Sequence, residues 1–310
     1  MTKPHQLSQD TIKKIEALLN EDLSSRKIAD LLEISKSTVN NYRPHFNLKK
    51  KQGPKIAILD VETAATVGMF FGRFNINISQ ENVLKEGSWM LCASWRWLGS
   101  SEVNSVFLTP QEIQNSNDER ISAVLHDVYR EADAVLAHNS LNFDHKIIQI
   151  RNLANGFPAL PNVKILDTLA QAKKAFKSPS NKLDNLGEYF ELGRKLSTGG
   201  ISLWKKVQAG DPEAMAKMVK YCEQDVNLLH DLYMKIRHVG NLGSNFNAAL
   251  YFDDDIPRCR TCGSAQVYPT DRIITTGKSI FREVACNNCG AVHKDSSNLT
   301  TKEKRKSLLT

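Results

Sequence analysis

Ile56-Ala57-Ile58-Leu59-Asp60-Val61-Glu62-Thr63 is an apolar run that ends in two acids one residue apart. In a strand, alternate side chains point to opposite faces, so Asp60 and Glu62 share one face near its carboxyl end. Two like charges at that distance repel each other, and burying them without a counter-charge is costly. The stretch therefore predicts a strand that holds a cation.

The composition is that of an ordinary globular protein. Of 310 residues, 41% are hydrophobic and 24% are charged, which suits one medium domain with small attachments. No apolar run approaches the roughly 18 residues of a membrane span, so we expect no membrane partner. The first 30 residues lack the apolar core of a secretory signal. We therefore expect a cytoplasmic protein.

The net charge of +7 is concentrated at the two ends of the chain. Residues 1–55 contain eleven Lys and Arg against six Asp and Glu, and residues 294–310 contain five against two. The middle is close to neutral. Basic ends on a near-neutral centre suit a polyanionic partner such as nucleic acid. The alternative is solubility charge on flexible ends.

Residues 8–43 show three short helical patterns. Apolar positions recur at helical spacing in the first two, and Ser35 is a suitable N-cap for the third. Residues 25–42 resemble the helix-turn-helix of resolvases and other DNA-binding proteins. The resemblance implies a DNA-binding domain at 1–46, followed by a basic linker at 47–54, with a third helix that enters the major groove. Its outward residues would be Lys36, Ser37, Asn40, Asn41 and Arg43. The alternative is a small three-helix packing or protein-docking module.

A new domain begins near Lys55. Four further stretches read as strands, at 89–98, 103–108, 134–137 and 163–166. Helices are predicted at 111–131, from Asp144 onward, around 183–190, and from Pro212 to about Arg237. A helix that starts at Asp144 would aim its carboxylate back toward the strand ends.

The last of these helices carries a phenol and a carboxylate on one face, because Tyr221 and Asp225 are four residues apart. Together with Asp60, Glu62 and Asp144, Asp225 completes a set of four carboxylates. Hard oxygen ligands of this kind suit Mg²⁺ or Mn²⁺, and four carboxylates suit two such ions. Two ions can activate water and stabilise the leaving oxygen of a phosphodiester.

Residues 56–238 resemble the DEDD superfamily of 3′–5′ exonucleases. The three motifs are matched in order by Asp60-x-Glu62, Asn139-x-x-x-Phe143-Asp144 and Tyr221-x-x-x-Asp225. The histidine subclass would have His where this chain has Lys220, so the chain is similar to the tyrosine (DEDDy) subclass. It is also similar to phage-encoded proteins in which Asp60–Glu62, the strand around Trp89–Leu98 and Tyr221–Asp225 occur together. A phage origin would place it in the host cytoplasm.

The resemblance implies a ribonuclease-H-like mixed sheet flanked by helices over 55–250. It also implies that Asp60, Glu62 and Asp225 bind two Mg²⁺ or Mn²⁺ ions, that Asp144 binds one directly or through water, and that Tyr221 orients the attacking water. The residues after 240 are too few for a polymerase. We therefore expect any proofreading to serve a separate replication or recombination protein.

Several other polar residues near these motifs are interpreted as structural. Asp167 ends a strand and is predicted to cap a helix. His138, His145 and His230 are interpreted as hydrogen-bonded polar groups. Cys92 and Cys222 are interpreted as buried bystanders.

The remaining four cysteines form two Cys-x-x-Cys-Gly pairs at Cys259, Cys262, Cys286 and Cys289. Each pair followed by glycine is typical of a zinc knuckle. The segment between the pairs reads as a hairpin, which predicts a structural zinc ribbon at 255–295. His293 is not needed as a ligand, because four thiolates already close the shell. The basic tail at 296–310 is predicted to be disordered.

The leading hypothesis is a metal-dependent 3′–5′ exonuclease of DNA. A second hypothesis is a DNA-binding adaptor or regulator with an inactive nuclease core. A third keeps the chemistry but changes the substrate to RNA or the cut to an internal one. The intact acids and Tyr221 argue against the second hypothesis, whereas the carboxylates alone do not settle the third.

Overall fold

The computed structural model describes residues 7–21, 23, 25–42, 53–72, 74, 78–239 and 246–308. The chain divides into two compact units, Met1–Gln52 and Gly53–Thr310. The residues described in the first unit contain three short helices: α1 (Gln9–Asn20), α2 (Ser25–Leu31) and α3 (Lys36–Tyr42).

The three helices of the first unit enclose a small core. Ile15, Ile28 and Val39 each come from a different helix, and all three are fully buried. Ser35 accepts a hydrogen bond from the Thr38 N–H at 3.0 Å, as a cap for α3 should. Leu31 belongs to the predicted apolar face but is 57% exposed. The three predicted helices are confirmed, whereas DNA binding by them stays a prediction.

The second unit contains a five-stranded mixed sheet with the strand order β5-β4-β1-β6-β7. The strands before residue 170 are β1 (Ile56–Thr63), β2 (Val67–Gly68), β3 (Val83–Lys85), β4 (Met90–Trp97), β5 (Asn104–Phe107), β6 (Ala134–Ala137) and β7 (Lys164–Asp167). β1 is antiparallel to β4 and parallel to β6. β2 and β3 form a separate hairpin in the connection after β1. The predicted strands are confirmed to within a few residues.

Helices cover both faces of this sheet. They are α4 (Pro110–Gln114), α5 (Glu119–Glu131), α6 (Asp144–Ala154), α7 (Thr168–Ala175), α8 (Leu183–Tyr189), α9 (Ile201–Gln208) and α10 (Pro212–Ile236). Alternate residues of β1 pack into two different apolar clusters. Leu59 lies in the cluster that contains residues of α5, and Ile58 lies in the cluster that contains Leu229 of α10. Burial on both faces explains why β1 begins as a continuous apolar run.

One predicted helix is interrupted. The stretch 111–131 forms two helices, α4 and α5, and the break lies next to Asp118, which is fully buried. The Asp118 carboxylate accepts hydrogen bonds from the Met90 N–H at 2.8 Å and from the Arg151 guanidinium at 2.7 and 2.8 Å. These tertiary contacts outweigh the helical periodicity. The sequence analysis also did not predict α9.

The C-terminal part of the second unit is a three-stranded antiparallel sheet. It contains β8 (Val267–Thr276), β9 (Ser279–Cys286) and β10 (Val292–Asn298), followed by α11 (Lys302–Ser307). The predicted hairpin between the cysteine pairs is β8–β9. The predicted disorder of the tail is wrong for α11, because the Ile280 N–H donates to Thr300 Oγ1 at 2.8 Å and Thr301 caps the helix.

Candidate active site

β1 and α10 bring three carboxylates together. Asp60 and Glu62 lie on one face of β1, as the alternation predicts, and Asp225 reaches them from α10, which packs on that face. One carboxylate oxygen from each of the three residues lies within 4.8 Å of the others. The sequence prediction that these acids form one site is consistent with this geometry.

Asp225 is fully buried, and its two oxygens have different surroundings. Oδ2 accepts a hydrogen bond from the Lys195 ammonium group. Oδ1 is buried and has no hydrogen-bond partner among the residues that the structure describes. A buried carboxylate oxygen without a donor is costly unless something positive meets it.

Burial raises the pKa values of all three carboxylates. Burial raises the pKa of Glu62 to about 9, and the charges of Asp60 and Asp225 add to this effect. Burial and the charge of Asp60 raise the pKa of Asp225 to about 7. Burial also raises the pKa of Asp60, while the Lys195 charge and the Cys222 thiol act in the opposite direction.

These residues fit a divalent cation. The site offers hard oxygen donors, which Mg²⁺ and Mn²⁺ prefer, and one of them is the unpartnered Oδ1 of Asp225. The three carboxylates repel one another without a cation. They become favourable ligands when a cation binds.

Asp144 lies beside this trio but is not part of it. It is the first residue of α6 and is 3% exposed. Burial and the charge of Asp60 raise its pKa, while hydrogen bonds from its own N–H and the Val61 N–H lower it. Among the described residues, the carboxylate group with oxygens within 4.8 Å of one another consists of Asp60, Glu62 and Asp225, and it does not include Asp144. Asp144 is therefore near Asp60, but a shared ion is not apparent from the geometry.

Tyr221 lies one turn before Asp225 on α10. Burial and the neighbouring charge of Asp225 raise the pKa of its phenol, so it stays protonated at neutral pH. Its ring packs edge-on against Trp204 at 6.5 Å between centroids. The Trp204 indole N–H in turn donates to the Thr63 carbonyl at 3.0 Å. Trp204 thus connects Tyr221 to the end of β1.

Lys195 is a site residue that the sequence analysis missed. From the segment between α8 and α9, its ammonium group donates to Asp225 and, at 3.1 Å, to the Tyr221 hydroxyl. The charges of Asp225 and Asp60 outweigh its burial and raise its pKa. No periodicity or motif singles it out. The position of Lys195 directly after Gly193-Arg194 is a weak local signal for a site residue.

The interpretations of Asp167 and the three histidines are confirmed. Asp167 Oδ1 accepts from the N–H groups of Leu169 and Ala170 at the start of α7, and also from the Asn139 N–H at 3.0 Å. It therefore anchors the second motif. The ring nitrogens of His138 contact Thr168 Oγ1 and the Asn181 carbonyl, both at 2.9 Å. His145 contacts the Tyr129 hydroxyl and His230 contacts Asp231.

The interpretation of Cys92 and Cys222 needs a correction. Both are fully buried, as expected. Cys222 is not a bystander, however, because its Sγ lies 3.5 Å from Asp60 Oδ2 and 3.4 Å from the Asp60 carbonyl oxygen.

The four remaining cysteines converge at the base of the three-stranded sheet. Their sulfurs all lie within 4.8 Å of one another, with Cys259 to Cys289 at 3.6 Å and Cys262 to Cys286 at 3.7 Å. Zinc–sulfur bonds of about 2.3 Å in a tetrahedron require edges of about 3.8 Å. The four thiols therefore fit a tetrahedral zinc ion. His293 Nε2 lies 3.3 Å from Cys259 Sγ, where it can hydrogen-bond to the sulfur.

The knuckle glycines have the expected backbone. Gly263 and Gly290 have φ values of +75° and +73°, which L side chains rarely adopt. Each N–H turns back to the carbonyl of the first cysteine of its pair, at 2.8 and 2.9 Å.

The residues expected to face DNA are partly described. Lys36, Ser37, Asn40 and Asn41 are all exposed on α3, which is compatible with the expectation but does not test it. Arg43 lies outside the described residues, as does most of the predicted linker. Within the described part of the chain, no helix is both long and apolar enough to span a membrane.

Comparison with known proteins supports the fold. Residues 87–237, just under half of the chain, match the family model RNase_H_2 of the RNase_H superfamily. The matched range includes Asp144, Tyr221 and Asp225 but begins after Asp60 and Glu62. The chain thus contains an RNase H-like domain, whose mixed sheet is flanked by helices, and the match supports a nuclease.

Among solved structures, the chain matches that of the family B DNA polymerase from the hyperthermophilic archaeon Pyrobaculum calidifontis. It is 15% identical, with a TM-score of 0.43, and the similarity covers 59% of this chain and 24% of the polymerase. The chain thus spans about a quarter of the length of that protein. No curated protein matches the sequence.

Proposed function

We propose that this protein is a metal-dependent exonuclease that removes nucleotides from the 3′ end of DNA. The observation that carries the proposal is the trio Asp60, Glu62 and Asp225, in which the buried Oδ1 of Asp225 lacks a partner among the described residues. Tyr221, a protonated phenol on the same helix as Asp225, lies beside the trio. The match to an RNase H-like family supports phosphodiester hydrolysis at such a site.

The carboxylates would hold divalent cations. Asp60, Glu62 and Asp225 would bind the ions, and Asp144 would bind one directly or through water. When bound, two Mg²⁺ or Mn²⁺ ions supply Lewis-acid activation of water and stabilise the oxygen that leaves. Hydrolysis breaks the bond between phosphorus and the 3′ oxygen of the preceding nucleotide, which leaves a 3′ hydroxyl and a nucleoside 5′-monophosphate.

Tyr221 orients the water. Because the pKa of its phenol is raised, the hydroxyl is a hydrogen-bond partner and not a base. The contact with Lys195 and the packing on Trp204 hold the phenol in place. Lys195 keeps a positive charge beside Asp225, where negative charge accumulates as the phosphodiester is attacked.

Two small modules, the three-helix unit and the four-cysteine sheet, bind or support the substrate. The first unit binds DNA through α3, with Lys36, Ser37, Asn40, Asn41 and Arg43 as its contact residues. The four cysteines hold a structural zinc ion. A separate replication or recombination protein is a further expected partner.

The test uses the full chain with 5′-end-labelled single- and double-stranded DNA and RNA, in Mg²⁺, Mn²⁺ or chelator. We expect a ladder that shortens from the 3′ end of DNA and disappears in chelator and in Asp60→Asn and Glu62→Gln. A circular single strand serves as the control for internal cutting. If no substrate is cleaved in a metal-dependent way, the proposal is overturned. Cleavage of the circle would overturn the exonuclease assignment, and a preference for RNA would overturn the DNA assignment.

A further inference from the structure

The thiol of Cys222 contacts a candidate metal ligand. Cys222 directly follows Tyr221 on α10 and is fully buried. Its Sγ donates toward Asp60 Oδ2 at 3.5 Å and toward the Asp60 carbonyl at 3.4 Å. Both distances are within the range of a sulfur hydrogen bond. One helix therefore supplies both the ligand Asp225 and a hydrogen-bond donor to the ligand Asp60.

Further polar side chains lie beside Asp60 in the sheet. Asp60 pairs with Ser94 of β4, and Ser94 pairs with Ser105 of β5. The two serine hydroxyl oxygens are 2.9 Å apart, and Ser105 Oγ lies 2.8 Å from Glu223 Oε1. These serines hydrogen-bond to each other and to Glu223, whereas the thiol of Cys222 contacts Asp60 itself.

The chemistry of the acceptor decides the direction of the contact between Cys222 and Asp60. A carbonyl oxygen and an ionised carboxylate only accept, whereas a thiol has one hydrogen to give. The hydrogen at this contact is therefore that of the thiol.

We propose that Cys222 is a positioning residue of the metal site: its thiol holds Oδ2 of Asp60, which leaves Oδ1 to face the cation. The proposal rests on the proposed function, because it assumes that Asp60 is a ligand. Partners of this kind orient ligands and commonly contribute 10- to 100-fold to metal affinity. The simpler interpretation is that Cys222 only fills space between α10 and the sheet.

Two substitutions at Cys222 separate these interpretations. Cys222→Val fills the space but cannot donate, whereas Cys222→Ser is smaller but keeps a donor. Mn²⁺ binding is measured by calorimetry on the full chain without substrate, together with the Mn²⁺ concentration that half-activates cleavage and the KM for single-stranded DNA. We expect Cys222→Val to weaken Mn²⁺ binding by about 10-fold, with KM unchanged. Cys222→Ser should stay within about 3-fold of the parent chain.

A second variant covers the case in which Cys222→Val does not fold. Cys222→Ala also lacks a donor and adds no branched group, and it should weaken Mn²⁺ binding by a similar factor. Equal Mn²⁺ affinity in the parent and in a folded Cys222→Val or Cys222→Ala overturns the proposal. So does equal weakening by Val and Ser, because that result indicates packing.

The same measurements distinguish failure of the positioning role of Cys222 from failure of the proposed function. A chain that binds Mn²⁺ in a Cys222-dependent way but cleaves no nucleic acid disproves the exonuclease and leaves the positioning role intact. A parent chain that binds no Mn²⁺ outside its cysteine site overturns both.

Discussion

Lys195 donates a hydrogen bond to the buried carboxylate of Asp225, although 30 residues separate the two in the chain. The same ammonium group reaches the Tyr221 hydroxyl at 3.1 Å. One cation thus connects a candidate metal ligand to the residue expected to orient water. Lys195 is a positive charge that the protein itself provides against the three acids.

Replacing Lys195 by Met should therefore affect both stability and catalysis. The change leaves a buried carboxylate with fewer donors, which we expect to lower the free energy of unfolding in chelator by roughly 1–3 kcal/mol. Cleavage should also slow, because positive charge beside Asp225 is lost. Urea unfolding and single-turnover kinetics measure the two effects. Lys195→Arg, which keeps the charge, is the control, and identical values for Met and the parent would contradict this role.

The metal-free protein should lose stability as pH rises. The pKa of Glu62 is raised to about 9 and that of Asp225 to about 7, against about 4 in an unfolded chain. Groups with raised pKa values stabilise the fold fully below about pH 4 and lose that contribution as pH rises through about 7 and then 9. Because ions bind the deprotonated carboxylates, Mg²⁺ should raise the melting temperature more at alkaline than at acidic pH.

Thermal unfolding with chelator or Mg²⁺ across this pH range checks the expectation. Glu62→Gln removes one of the titrating groups and should flatten the dependence in chelator. A metal-free melting temperature that rises between neutral and alkaline pH would show that the carboxylates do not control stability.

Tyr221→Phe should separate orientation of the water from packing. The ring still packs on Trp204, so the melting temperature should change little. Loss of the hydroxyl should lower kcat by about 10²-fold, as for removal of one oriented hydrogen-bonding group, with KM for DNA nearly unchanged. Steady-state kinetics on a short single strand measure both constants. An unchanged kcat would assign Tyr221 a packing role only.

The cysteine site should bind one zinc ion and should not need His293. Cys286→Ser removes a thiolate and should abolish zinc retention, with unfolding of β8–β10, because this small sheet has little apolar core of its own. His293→Ala removes only a side chain that contacts Cys259, so zinc should be retained. Metal analysis of the purified proteins decides. If Cys286→Ser retains as much zinc as a zinc-containing His293→Ala, the ligands are not those four sulfurs.

Deleting residues 1–52 should weaken DNA binding and reduce its dependence on salt, because basic contacts to phosphate are lost. Cleavage of short oligonucleotides should be spared. The double variant Lys36→Gln with Asn40→Ala tests α3 itself in the intact chain, since both residues are exposed. Binding titrations at several salt concentrations provide the measurement. Equal affinity after the deletion would favour a protein-docking module.

Local patterns were enough to predict much of this protein. Strand alternation places Asp60 and Glu62 on one face, and helical spacing does the same for Tyr221 and Asp225, because both depend only on the geometry of the backbone. Each Cys-x-x-Cys-Gly pair likewise places two thiols on one tight turn. A strand or helix period relates residues that are close in sequence, so these predictions needed no knowledge of the fold.

Contacts between distant segments were decided by the tertiary structure alone. The sequence does not show that Lys195 meets Asp225, that Cys222 meets Asp60, or that Asp118 interrupts a helix to bind Met90 and Arg151. Each depends on how helices pack on the sheet, and packing is the sum of many weak contacts spread along the chain. Residue spacing therefore predicted the acids of the site, whereas packing determined which side chains hold them in place.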